Sequence, residues 1–68
     1  DFPLDIIKKY YLHDSKRWDI EVLNKIIIKL PVENYIKSLK NFMYLMNEKN
    51  FEEFKLFDYR INNQLILK

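Results

Sequence analysis

Sixty-eight residues make one domain, near the lower limit at which a hydrophobic core suffices without disulfides, metal or oligomerisation. With no cysteine and no glycine, the chain has no disulfide, no thiolate zinc site, no Gly-rich phosphate loop and no dinucleotide fingerprint. A formal charge of +2 is too small for a strong nucleic-acid footprint, and no apolar run approaches the roughly 18 residues of a spanning helix, so no membrane partner is expected. Nearly half the residues are hydrophobic and 16% are aromatic, more than so short a domain buries alone, which points to an interface. The sequence starts at Asp1 rather than Met and shows no signal-peptide pattern, as expected for a domain of a longer protein.

In chain order, Pro3 suits a first helical turn, and Ile6, Ile7, Tyr10 and Tyr11 follow at three- and four-residue spacing, predicting a helix over residues 3 to 12. His13, Asp14 and Ser15 interrupt it, and Asp14 or Ser15 caps a second helix running to about Lys29, with Val22, Leu23, Ile26, Ile27 and Leu30 as its stripe. Pro31 stops that helix and starts a third, 31 to 47, striped by Val32, Tyr35, Ile36, Leu39, Phe42, Met43 and Met46. Asn50 with Glu53 has the spacing of a capping box for a brief helix carrying Phe51, Phe54 and Phe57, and Asp58 caps a last one with Ile61, Leu65 and Ile66. The expected fold is therefore all-α, a compact bundle of four or five short helices in one domain, 1 to 68, and oligomeric. Turns that need positive φ must rely on Asn or Asp, there being no glycine.

Catalysis finds little support. His13 is the sole histidine and general acid/base work needs a positioned partner, while Glu52 and Glu53 are consecutive and diverge by about 100° on a helix. Neither metal-ligand spacing nor a cofactor motif is present, so a non-enzyme without cofactor is expected. Ile20, Ile28, Tyr44, Leu45 and Tyr59 do not fit one buried helical face, and Trp18, Ile28, Tyr44, Leu45 and Tyr59 are the candidates for an oligomer interface, with tyrosine suited to a contact that is apolar and partly wet. The alternative is a small DNA-binding domain using Lys8, Lys9, Lys16, Arg17, Lys25 and Lys29, with helix two, Pro31 and helix three as a helix-turn-helix. Interspersed acids weaken that reading.

The stretch Met43 to Ile66, MYLMNEKNFEEFKLFDYRINNQLI, resembles the C-terminal domain of the Rap-interacting telomere and replication-timing factor, fungal branch. Lys49 and Asn50 match the turn of that domain, Phe51, Phe54 and Phe57 its apolar positions, and Ile61 and Ile66 its closing isoleucines. The resemblance implies a terminal self-association module, a dimer or tetramer, in a nuclear protein of telomeric chromatin that also contacts a telomeric Rap-type protein. In the animal relatives of that domain the turn carries a glycine that lets the backbone approach phosphate; this chain has none, so the DNA binding of those animal domains is not implied here.

Overall fold

The computed structural model describes residues 3 to 61 and 63 to 68, and Asp1 lies outside them. It overturns the all-α expectation. The described residues form a five-stranded mixed sheet covered on one face by a single helix, in the order β1 (Ile7–Leu12), β2 (Trp18–Val22), β3 (Ile26–Lys29), α1 (Tyr35–Met46), β4 (Leu56–Asp58) and β5 (Ile66–Leu67). Short 3-10 turns occupy Leu4–Ile6, Leu23–Lys25 and Lys49–Phe51. The strands lie side by side in sequence order, antiparallel except for β3 and β4, which run parallel because α1 carries the chain back across the sheet.

The segments read as helices one and two are strands for identifiable reasons. In β2, Trp18, Ile20 and Val22 alternate with Asp19 and Glu21, the period-two pattern of a strand, and β3 is β-branched at three consecutive positions. In β1 the register slips between Ile7 and Lys9, leaving Lys8 as an extra, bulged residue. That insertion puts Ile7 and Tyr10 on one face three residues apart, which mimics a helical repeat. The brief helix expected after Asn50 is the 3-10 turn at its start and β4 at Phe57, and the last expected helix is irregular up to β5.

Tight turns join the strands without glycine. Asp14 and Ser15 form a β-turn closed by Lys16 N–H to the His13 carbonyl, and Lys16 then takes φ of 68° before His13 N–H donates to the Arg17 carbonyl, 2.9 Å. The β2–β3 turn holds Asn24 and Lys25 at φ of 64° and 62°. Asn24, Asn34 and Asn63 occupy three of the five positive-φ positions among the described residues; the other two are Lys16 and Lys25. The third expected helix exists, shortened to Tyr35–Met46. Pro31 ends β3 rather than a helix, and Val32, Tyr35 and Ile36, expected on the buried stripe, are exposed.

Register assigns the two faces. Tyr10, Ile20, Ile28, Phe57 and Leu67 lie in one row across the sheet, on the face where Phe57 meets Phe42 of α1. The core comprises Ile20, Val22, Ile26, Ile28, Leu30, Phe42, Leu45, Phe57 and Tyr59. The opposite face carries the row Tyr11, Asp19, Lys29, Asp58 and Ile66. There Arg17 pairs with Asp19, and Arg60 with Asp58, so both buried carboxylates have a cation.

Candidate functional site

The helix-facing row is buried from Ile20 to Phe57 but not at β1. Tyr10 belongs to the same row as Ile20 and is 57% exposed, because α1 covers the middle of the sheet and leaves its β1 end open. Beside it, Leu12 and its cross-strand partner Trp18 are 57% and 41% exposed. Tyr10 and Trp18 meet edge to face, with ring centroids 6.0 Å apart and an interplanar angle of 81°. Leu4 from the N-terminal 3-10 turn and Tyr35 from the first turn of α1 close the corner into an apolar groove of about 340 Å³ floored by Ile20, Leu30 and Leu39. Lys16, at the β1–β2 turn, also lines the groove.

A second, polar cavity of about 520 Å³ lies between α1 and the segment before β5, lined by Asn34, Lys37, Asn41, Tyr59 and Gln64 among others. The Tyr59 hydroxyl donates to Asn41 Oδ1 at 2.8 Å, and burial pushes its pKa well above the ordinary tyrosine value. Held as a neutral donor, that hydroxyl serves to seat Tyr59 in the core.

The five residues expected at an interface divide. Trp18 stands in the groove wall, and Tyr44 is 64% exposed on the side of α1 away from the core. Ile28, Leu45 and Tyr59 are buried inside the chain's own core. What made them look surplus was the helical frame: Ile28 lies off a helix-two stripe, yet on a strand it shares the face of Ile26 and Leu30. Tyr10 and Leu12 were missed for the same reason. The alternation of β2 and the resulting hairpin were the signals that could have found them.

The six basic residues do not form one stripe. Lys16 and Arg17 sit at the β1–β2 turn, Lys25 at the β2–β3 turn at the other end of the strands, and Lys9 and Lys29 on the open face. Lys8 is the bulge, and Arg17 is paired with Asp19. Since helix two is a strand pair, no helix-turn-helix spans Pro31. His13 does acquire a partner that spacing did not reveal, its Nε2 lying 2.9 Å from Asp19 Oδ2. With Arg17 on the other oxygen, the arrangement clamps the hairpin turn, and neither cavity described above is lined by His13. Among the described residues no group of three or more His, Asp or Glu could hold a metal ion, and no helix is long and apolar enough to cross a membrane.

No protein-family model, curated protein or solved structure matches this chain. Met43 to Ile66, the stretch that carries the resemblance, comprises the end of α1, the 3-10 turn Lys49–Phe51, β4 and the first residue of β5.

Proposed function

We propose that this domain is a non-catalytic self-association and protein-interaction module, working through the apolar corner formed by β1, Trp18 and the start of α1. One observation carries the reading: Leu4, Tyr10, Leu12, Trp18 and Tyr35 are large, apolar, exposed and gathered at one corner of the sheet. At partial exposure these side chains leave on the order of 500 Å² uncovered, the size of the largest apolar patch on a typical monomer, which is often a functional surface. Joining copies of a longer chain raises the effective concentration of weak binding sites elsewhere in it, so the module acts by avidity. The resemblance alone supplies the telomeric, nuclear context and the Rap-type partner, as part of this proposal.

Sedimentation equilibrium over a wide concentration range at low and high salt tests the reading. A dimer or higher assembly insensitive to salt is expected, since apolar contacts are not screened. Trp18→Arg should weaken it by at least about 30-fold, the effect of losing a hot-spot aromatic. A monomer at every concentration overturns the proposal, and salt-sensitive binding to DNA in its place would favour the basic-residue alternative.

A further inference from the structure

The sheet has two ends, and they are protected differently. β5, at one end, is only two residues long, and short edge strands template little pairing. β1, at the other, has six residues and, among the described residues, pairs with β2 on one side only. In an antiparallel ladder, alternate residues direct their backbone groups toward the partner strand and the rest direct them away. His13 N–H donates inward to Arg17, so Tyr11 faces inward as well, and the N–H and C=O groups of Tyr10 and Leu12 project from the free edge.

Sheet edges are commonly blunted by lysines and by bulges. Both devices are present here, and both lie in the first half of the strand: Lys8 is the bulged residue and Lys9 follows it. The second half, Tyr10-Tyr11-Leu12, has neither. We infer that this half-edge pairs with the same segment of a second copy, antiparallel about a two-fold axis at Tyr11, joining two five-stranded sheets into one. The inference rests on the self-association reading and names the contact that would carry it.

A second copy fits the edge by charge as well as by hydrogen bonding. With Tyr11 opposite Tyr11, each Tyr10 pairs with Leu12 of the second copy, and all four outward-facing residues exchange backbone bonds. Lys9 then stands opposite His13, beyond which the Lys8 bulge and the Asp14–Ser15 turn end the ladder, so no lysine faces a lysine. Parallel, in-register pairing would instead oppose Lys8 to Lys8 and Lys9 to Lys9. On the helix-facing side the two corners, each with Tyr10, Leu12 and Trp18, meet as one apolar surface.

The absence of cysteine makes the register directly measurable. Opposed residues at a non-hydrogen-bonded site have Cα atoms about 4.5 Å apart, inside the range of about 4.4–6.8 Å that a disulfide spans. Tyr11→Cys should therefore form a disulfide-linked dimer under mild oxidation. Tyr10→Cys and Leu12→Cys should each do so at least about tenfold more slowly alone, because each is two residues out of register with itself and beyond about 7 Å, yet an equimolar mixture of the two should cross-link heterologously. Ile66→Cys, at the other sheet edge, serves as the non-crosslinking control. Should Tyr11→Cys fail to fold, the mixed Tyr10→Cys and Leu12→Cys pair still reads the register. If the unmodified chain sediments as an assembly that Trp18→Arg dissociates, but none of these cross-links form, the strand pairing is wrong and the self-association reading stands. If the unmodified chain is a monomer at every concentration, both fail.

Discussion

Phe42 of α1 and Phe57 of β4 stand edge to face, ring centroids 4.9 Å apart at 89°, and both are fully buried. The pair joins the helix to the strand that the helix delivers, at the parallel β3–β4 junction where the chain must cross the sheet. Truncating either ring to alanine should cost about 3–5 kcal/mol, comparable with the whole stability of about 3–10 kcal/mol for a domain this long, and should unfold it. Milder changes isolate the pair. A cycle of Phe42→Leu, Phe57→Leu and the double variant, followed by urea unfolding, should show a coupling of about 0.5–1.5 kcal/mol; strictly additive losses would mean the rings contribute only by volume.

Lys25 follows Asn24 in the β2–β3 turn, and both residues are left-handed. Asparagine tolerates that region, whereas lysine pays for its Cβ by about 1–2 kcal/mol, and glycine would return part of this as unfolded-state entropy. Lys25→Gly should therefore raise stability by about 0.5–1 kcal/mol, seen as a higher urea midpoint at unchanged slope. Lys25→Ala should give no such gain. Equal effects of the two would show that loss of the charge, not the backbone, is responsible.

That same turn explains much of what the sequence concealed. Asn-Gly between alternating runs is the strongest short hairpin signal, and here the glycine is a lysine, so β2 and β3 merge into one long apolar-rich stretch that fits a helix. The Lys8 bulge does the same for β1 by turning a two-residue repeat into a three-residue one. Where no such irregularity intrudes, the reading was closer: α1 sits within the expected 31 to 47, and Leu39, Phe42, Met43 and Met46 do face the core. Of the site, Trp18 was legible as an apolar residue in surplus. Tyr10 and Leu12 were hidden by the helical frame given to β1: the alternation of β2 could place them on the helix-facing side of a hairpin, while their exposure depends on where α1 packs.

Asp58 is buried on the open face, where Arg60 donates Nε to Oδ1 and Oδ2 at 2.9 and 3.1 Å and its backbone N–H to Oδ1 at 3.0 Å. These bonds, with Lys29 nearby, hold the carboxyl below its ordinary value of 3.8 in the folded state. A depressed folded value contributes stability that is fully present above the unfolded value of about 3.9 and is lost as pH falls through the folded one. Acid unfolding of the unmodified chain should thus set in below about pH 4. Arg60→Met leaves the carboxylate buried without its guanidinium, so its pKa rises and unfolding followed by circular dichroism should begin at higher pH. Asp58→Asn should flatten this part of the acid limb, and an unchanged acid midpoint in both variants would remove Asp58 from the account.

Ile28 and Tyr44 both looked like interface anchors, and their burial now separates them. Ile28 is wholly enclosed by the core, so Ile28→Arg forces an unpaired charge into an apolar interior and should abolish folding at any concentration. Tyr44 is 64% exposed and lies outside the groove at the β1 corner, so Tyr44→Arg should alter stability by no more than about 0.5 kcal/mol. Its effect on association is the sharper measurement. If self-association runs through β1 and Trp18, the Tyr44→Arg chain should sediment as the unmodified one does. A folded but dissociated Tyr44→Arg variant would shift the contact to the outer face of α1, where Ile36 and Tyr44, two turns apart, are both exposed.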